Sequence, residues 1–379
     1  MYRKPYQKLK PAFISMVLIA STIIVSAQSE NASNIKVGGW LKINSVYDFV
    51  GIGNESALNI SAIPTGDVEK DPVFTMDLYQ TRLFFDSNVL TTKYGNIQAY
   101  VEVDFYGNNG GELRMRHAYV KMGNWTLGQA WSAVCNLEAW PNITDFDGPA
   151  TGAWVRQAVL RYKMDLGNKH RLALALEAPF GDYDRFLPTD SLLTTTNQNM
   201  PDFLIRYTKD WTNLHFQATS IFRQLSYRSL TEREITYGYG GVVSLVHNSP
   251  RWKFITQGIA GVGISRYLVS FQGGGWDAAP KPDGSLDPIP VIGGYASAQY
   301  YWNSTKTLSS TAVVGLFKIE NRVRTDFYDY SGEYYSANLY YQPIPALMLG
   351  AEYIRGHIND ENNKTGMADR VQLSLEYSF

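Results

Sequence analysis

The last nine residues of the chain alternate without a break: Val371, Leu373, Leu375, Tyr377 and Phe379 are apolar, and Gln372, Ser374, Glu376 and Ser378 between them are polar. Successive side chains of a strand point to opposite faces, so this segment has one greasy face and one wet face. The same period of two recurs upstream. Ala99, Val101, Val103 and Phe105 alternate with Tyr100, Glu102 and Asp104, and Leu214, Phe216 and Ala218 alternate with His215, Gln217 and Thr219. Leu172, Leu174 and Leu176 likewise interleave with Arg171, Ala173, Ala175 and Glu177. After residue 27 no apolar run approaches the roughly 18 residues of a membrane-spanning helix. A chain of this kind folds as many half-buried strands, in a soluble sandwich or a membrane barrel.

Three features favour the barrel. A closing strand of about ten alternating residues is long enough to cross a bilayer at a tilt, and its aromatic end resembles the terminal strand by which outer-membrane barrels are recognised for assembly. Tyr377 and Phe379 are the expected signal for the barrel assembly machinery. Aromatics cluster near strand ends, at Trp40, Tyr47, Tyr79, Trp125, Trp154, Tyr207, Trp211, Trp252, Tyr300 and Trp302, as interfacial girdles require. Connections alternate between tight turns and long loops rich in Gly, Pro, Ser, Asn and Asp. Met122-Gly123-Asn124, Leu166-Gly167-Asn168 and Gln342-Pro343-Ile344-Pro345 are turns; Gly51 to Asp71, Gly181 to Met200 and Phe271 to Val291 are loops. Only 18% of the residues are charged and 14% are aromatic, against a charged fraction of about 25% in soluble domains. The fold class is all-β, a transmembrane antiparallel β-barrel. Strands are centred near Leu41, Leu83, Val101, Arg116, Leu127, Val159, Leu174, Ile205, Ala218, Tyr239, Ile255, Ala298, Val314, Ser336, Gly350 and Leu373. A barrel of about 16 strands is too wide for wall side chains to fill, and it encloses an aqueous channel.

The first residues read as a secretory signal. Arg3, Lys4, Lys8 and Lys10 precede the apolar stretch Ala12 to Val25 and the small-residue site Val25-Ser26-Ala27, the order of a cleaved leader. Cleavage is expected after Ala27, leaving residues 28–379 as the barrel. The whole chain has 34 basic and 35 acidic residues, a balance with no pull toward nucleic acid. Its single cysteine, Cys135, excludes an internal disulfide and reads as a small packed side chain. The five histidines, His117, His170, His215, His247 and His357, have no metal-binding spacing. Ser226, Ser244 and His247 form no recognisable catalytic motif, so no catalytic residue, metal or cofactor is expected.

The charges become informative when alternation assigns them to faces. Arg114 and Arg116 fall on the face opposite Leu113 and Met115, and Gln80, Arg82 and Asp86 fall together. Arg206 shares a face with Thr208, and Arg223 with Gln217 and Thr219. These arginines face the lumen, because a cation on the lipid side at mid-bilayer costs about 2–4 kcal/mol. Glu102 and Asp104 lie inward on the preceding strand, where opposite charges pair across a ladder. Such charges either hydrate and stiffen a polar wall or form an arginine-lined constriction that attracts carboxylates in bidentate fashion. The segment 132–153 lacks alternation and carries Pro141, Gly148, Pro149 and Gly152 with the acids Glu138, Asp145 and Asp147. A loop of this length is usually functional or disordered.

Four runs in order carry a resemblance. Leu113-Arg114-Met115-Arg116-His117-Ala118-Tyr119, Gly128-Gln129-Ala130-Trp131-Ser132, Asp145-Phe146-Asp147-Gly148-Pro149 and Arg156-Gln157-Ala158-Val159-Leu160-Arg161-Tyr162 are similar to the motif series of DcaP-like porins. The resemblance implies a homotrimeric outer-membrane channel for small anions, especially carboxylates, in contact with membrane lipid and lipopolysaccharide. It implies that 132–153 folds inward as a constriction loop, and that lumen arginines match Arg114, Arg116, Arg156 and Arg161. With the face assignments, the expected pore lining is Arg82, Glu102, Asp104, Arg114, Arg116, Arg156, Arg161, Arg206 and Arg223. The odd spacing of Arg156 and Arg161 puts them on opposite faces of a regular strand, so one of them belongs to a loop end or a subunit interface. Some family members carry an N-terminal coiled coil; here only Gln28 to Asn34 precede the first strand, and no stalk is expected. The expected function is passive diffusion of small hydrophilic solutes with a preference for anions. The alternatives are a general, weakly selective porin and an outer-membrane barrel enzyme.

Overall fold

The computed structural model describes residues 33–379 apart from 51, 53–56, 68–70, 93–94, 109, 182, 184–197, 229–232, 282–284 and 321–327. The expected signal segment and the cleavage after Ala27 lie outside the described residues. The chain folds as β1 (Ser33–Asp48), β2 (Val73–Asp77), β3 (Arg82–Thr92), β4 (Gly95–Gly107), β5 (Glu112–Met122), β6 (Trp125–Trp131) and β7 (Arg156–Gly167). It continues through β8 (His170–Glu177), β9 (Asp202–Asp210), β10 (Leu214–Arg228), β11 (Arg233–Asn248) and β12 (Trp252–Val262). After the short β13 (Ala278–Pro280) and β14 (Leu286–Pro288) come β15 (Pro290–Tyr301), β16 (Leu308–Ile319), β17 (Tyr330–Ile344), β18 (Leu347–Asn359) and β19 (Thr365–Ser378).

Every barrel strand pairs antiparallel with its neighbours in sequence, and β1 closes the sheet by pairing with β19 on one edge and with β2 and β3 on the other. The sheet has 17 segments; β2 and β3 share one strand's place along β1, so the barrel has 16 strands. All the strand centres read from the sequence fall inside strands. Phe379 exchanges backbone hydrogen bonds with Gly39, 3.0 and 3.2 Å, at the seam. Leu41, Met76, Leu83, Val101, Leu127, Val243 and Leu373 are exposed on the outer face. Trp125, Trp211, Trp252 and Trp302 stand exposed at the short-turn rim, where the girdle was expected.

Two local expectations are corrected. Trp154 is no girdle residue: it lies outside any strand, is 2% exposed and packs inside the barrel with its ring centroid 4.3 Å from that of Trp140. The turn at Gln342 to Pro345 sits later, because β17 runs through Ile344 and a register shift between Tyr341 and Ile344 absorbs Pro343, which has no N–H to give the ladder. The connection Phe271 to Val291 is long, as expected, and holds the hairpin of β13 and β14.

The core lies within the barrel, to one side. Leu58, Ile60 and Ile63 from the first connection, Val134, Ile143 and Trp154 from the segment after β6, and Tyr267, Leu268 and Phe271 from the connection after β12 form one cluster. They pack against Val291, Val313, Phe317, Ile319, Ile354 and Ile358 on the inner wall. Backbone contacts interlock the three connections: Val269 N–H donates to Gly152 O at 3.0 Å, and Ala153 bridges to Leu268. The Ser61 hydroxyl reaches Ser270 O at 3.0 Å.

Candidate functional site

On the inner wall, β4 and β5 pair Val103 with Met115 but Glu102 with His117, so Arg116 is an extra residue. In such a bulge two residues of one strand oppose one of the other, and the alternation is displaced by one. Arg116 and His117 are therefore both buried. Beyond them Tyr119 and Lys121 turn inward, while Val120 faces out. Gln129 covers the disturbed backbone from the outer face, donating through Nε2 to the carbonyls of Met115 at 3.0 Å and Arg116 at 3.1 Å.

The arginines above the bulge are paired. Arg114 grips Asp104 with two bonds, Nε to Oδ1 at 3.0 Å and Nη2 to Oδ2 at 2.7 Å. Arg116 bridges Glu102 at 2.8 Å and Asp104 at 2.6 Å, and Arg82 lies 3.4 Å from Glu102. The ring of Phe146, from the segment after β6, stacks on Tyr106 with centroids 4.7 Å apart. The guanidinium groups of Arg114 and Arg116 approach the same ring at 5.6 and 5.4 Å. Bidentate charge-assisted bonds and cation–π contacts hold this group rigidly.

Below the bulge, toward the short turns, a cavity of about 710 Å³ opens against β4 to β10. Lys121, Arg161, Lys163, Arg171 and Arg206 line it, against the carboxylates Glu102, Glu138 and Asp210. Asp210 is occupied by Arg171 and by His215 Nδ1. Among the described residues, Lys121, Arg161, Lys163 and Arg206 form no ion pair. Arg161 donates to Trp131 O at 3.1 Å, and the Lys121 ammonium lies 5.0 Å from the Tyr119 ring centre. Tyr100, His117, Tyr119 and Trp131 give the same cavity an aromatic flank.

Arg156 and Arg161 separate as their spacing requires. Arg161 is buried on the inner face; Arg156 is the first residue of β7, at the loop end, with its guanidinium 4.9 Å from the Trp131 ring centre. Arg223 is 0% exposed. It bonds Asp277 at 2.7 Å and Gly263 O at 3.0 Å and lies 3.4 Å from Asp202, so it pins the connection after β12 rather than facing water. Arg266 from that connection reaches Asp202 at 3.3 Å.

The segment from Ser132 to Val155 has partners on strands all around the polar inner face. Ser132 Oγ and Ala133 N–H donate to Glu177 of β8 at 2.6 and 2.7 Å. Asn136 Nδ2 donates to Ser244 of β11 at 2.8 Å, and the Tyr295 hydroxyl of β15 to Ala139 O at 2.6 Å. Asn338 of β17 donates to Asn142 O at 2.8 Å, Thr144 Oγ1 to Glu352 of β18 at 2.6 Å, and Ala153 N–H to Gln257 of β12 at 2.6 Å. Asp145 accepts from the Tyr334 hydroxyl at 2.9 Å and from Leu58 N–H at 3.2 Å. Burial, with Glu352 and Asp147 nearby, raises the Asp145 carboxyl well above its ordinary range. Burial also raises Asp147, against the pull of Arg156, Arg114 and Arg116 around it. Glu138 stands at the cavity. Burial pushes the Cys135 thiol up to about 12, and its sulfur is tied to the Val155 backbone, so it is an inert packing group.

Of the expected lining, Arg161, Arg206 and Glu102 reach the cavity. Lys121, Lys163, Arg171 and His117 reach it too and were not expected. Lys163 was legible, two residues from Arg161 on one strand. Lys121 and His117 were hidden by the bulge.

These features have counterparts in known proteins. The family model described as DcaP outer membrane protein matches residues 21–210. Among solved structures the chain is similar to the outer membrane channel DcaP of Acinetobacter baumannii, at 22% identity over 92% of this chain and 98% of that one, with a TM-score of 0.78. It is also similar to the anion-selective porin from Comamonas acidovorans, at 10% identity over 92% and 100% of the two chains, TM-score 0.60. The trimer form of OmpT from Vibrio cholerae matches at 11% identity over 92% and 100%, TM-score 0.57. No curated protein sequence matches the chain. The chain belongs to the DcaP outer membrane protein family, and its 16-stranded barrel is that of an outer-membrane channel.

Proposed function

We propose that the chain is a passive channel that favours small anions, carboxylates among them. The observation that carries this reading is the set of inward cations that form no ion pair among the described residues: Lys121, Arg161, Lys163 and Arg206 around one water-accessible cavity. Charges of one sign in a cleft with low-dielectric walls concentrate ions of the other sign, and guanidinium groups match carboxylate geometry. Arg82, Arg114 and Arg116 contribute less field than their number suggests, because Glu102 and Asp104 compensate them. That compensation favours the second reading, a weakly selective channel for hydrophilic solutes. In either case no covalent step, metal or cofactor is required, and two of the named relatives are described as a channel and a porin.

The segment 132–153 is the constriction, supported by its partners on strands around the lumen. The mature chain starts after Ala27, and residues 28–379 form the barrel. Tyr377 and Phe379 present the assembly signal at the closing seam, and the outer face meets lipid and lipopolysaccharide. The assembly is a homotrimer, supported by the trimeric form of one structural relative.

Reconstitution in planar bilayers under a KCl gradient tests the reading. A reversal potential of the anion-preferring sign is expected; the cation-preferring sign overturns the preference, and absence of conductance overturns the channel. The double substitution Arg161→Gln with Arg206→Gln is expected to move the chloride-to-potassium permeability ratio toward one. An unchanged ratio rejects these residues as its source.

A further inference from the structure

Fixed charge is unevenly divided along the barrel axis. On the short-turn side of the bulge stand Lys121, Lys163 and Arg206, without ion-pair partners among the described residues. Lys121 is one residue from the end of β5, and Lys163 and Arg206 are each four residues from the short-turn end of their strands. Among the described residues on the long-loop side, most inward guanidinium groups meet carboxylates. Besides Arg114 and Arg116 on Asp104 and Glu102, Arg223 meets Asp277 at 2.7 Å, Arg266 meets Asp202 at 3.3 Å and Arg370 meets Asp48 at 2.8 Å. Arg156, at the end of the inserted segment, has Asp147 in its field. Among the described residues, the short-turn half thus carries more cations than carboxylates, with Lys121, Arg161, Lys163, Arg171 and Arg206 against Asp86, Glu138 and Asp210, and the other half is close to compensated.

We infer that the channel rectifies: at low salt it conducts better when anions are driven from the short-turn mouth toward the long-loop mouth than in the reverse direction. The inference rests on the anion-favouring reading and adds a direction to it. In the basic half, anions carry most of the current; in the compensated half, both ions do. When anions move out of the basic half, more arrive at the junction than leave it as anion current. Cations arriving from the other side are held back by the same positive charge. Both ions accumulate where the halves meet, and conductance rises. The opposite polarity depletes the junction and conductance falls. The effect requires that the wall charges reach across the lumen. Their screening length is about 10 Å at 0.1 M salt but about 3 Å at 1 M, so the asymmetry belongs to dilute solution.

Single channels of known orientation test this. Asn213→Cys, exposed at a short turn, carries biotin, and streptavidin added to one chamber identifies the short-turn side by blocking from there alone. Currents at equal and opposite voltages are then compared in an unlabelled channel population inserted the same way. The expected ratio is roughly 1.5- to 3-fold in 0.01–0.1 M KCl, with the long-loop side positive, falling to about one at 1 M. Lys163→Gln with Arg206→Gln is expected to lower both the ratio and the anion preference. Asp104→Asn, which leaves Arg114 and Arg116 uncompensated in the other half, is expected to lower the ratio while raising the anion preference. A symmetric current at low salt, the opposite sign, an asymmetry that persists at 1 M, or a ratio unmoved by both variants overturns the inference. A symmetric current with an anion-type reversal potential rejects rectification alone, whereas a cation-type reversal potential rejects the reading beneath it.

Discussion

At the scale of single residues, the lumen separates into groups that hold the structure and groups left free to act on solutes. Asp145 belongs to the first. Its carboxyl is raised by burial, while the unfolded chain keeps a value near 3.9. A carboxyl raised on folding contributes stability that is complete below the unfolded value and fades as pH rises through the folded one. Asp145→Asn, which keeps an oxygen acceptor for Tyr334 or Leu58 and removes the charge, is therefore expected to flatten the fall in thermal midpoint from acid to alkaline pH. Parallel pH profiles for the parent and the variant would show that Asp145 does not set the slope. The pairing of Arg114 with Asp104 was legible in the sequence, since both lay on inward faces of neighbouring strands. The burial of Arg223 was not, because its partners Asp202 and Asp277 come from distant parts of the chain and no periodicity links them.

At the scale of elements, strand positions were readable because a barrel strand must keep one face for lipid. The departures come where the backbone breaks that rule. The one-residue bulge in β5 turned Lys121 and His117 toward the cavity against the alternation of the sequence, and no residue type marks the bulge in advance. Gln129 is its visible trace, a polar side chain on an outer face. Where no water competes, its two bonds to carbonyl groups matter, since an unsatisfied backbone group in hydrocarbon costs several kcal/mol. Gln129→Leu is expected to lower stability by about 1–3 kcal/mol, read as a lower thermal midpoint in detergent, without changing ion selectivity; an unchanged midpoint would mean the carbonyls find other partners. The inserted segment is held at its start by Glu177 and near its middle by Glu352. Glu177→Ala combined with Glu352→Ala is expected to increase open-channel current noise several-fold while the barrel remains folded by circular dichroism. Noise like that of the parent would place the anchoring in the apolar contacts instead.

At the scale of the whole molecule, alternation, aromatic ends and unequal connections were enough to point to a closed barrel of about 16 strands. They did not reveal that an apolar core fills part of its interior. Ile354 and Ile358 alternate with outward residues like any other strand positions, and nothing local distinguishes an inner face that meets water from one that three returning connections cover. Cross-linking in native membranes is expected to trap a species of three copies; a single-copy species alone would reject the trimer.

The apolar core inside the barrel also bears on biogenesis. In the later part of β16, Val313, Phe317 and Ile319 point inward into the core while Val314 and Leu316 point outward to lipid, so apart from Lys318 this stretch has no polar face to offer water. On its way to the outer membrane the unfolded chain crosses an aqueous compartment, where apolar segments of high β-propensity are prone to aggregate. A barrel with a fully polar interior hides only one side of each strand from water during that passage. This one leaves apolar residues on both sides of several strands until its connections fold back, so its unfolded chain offers water more apolar surface during that passage.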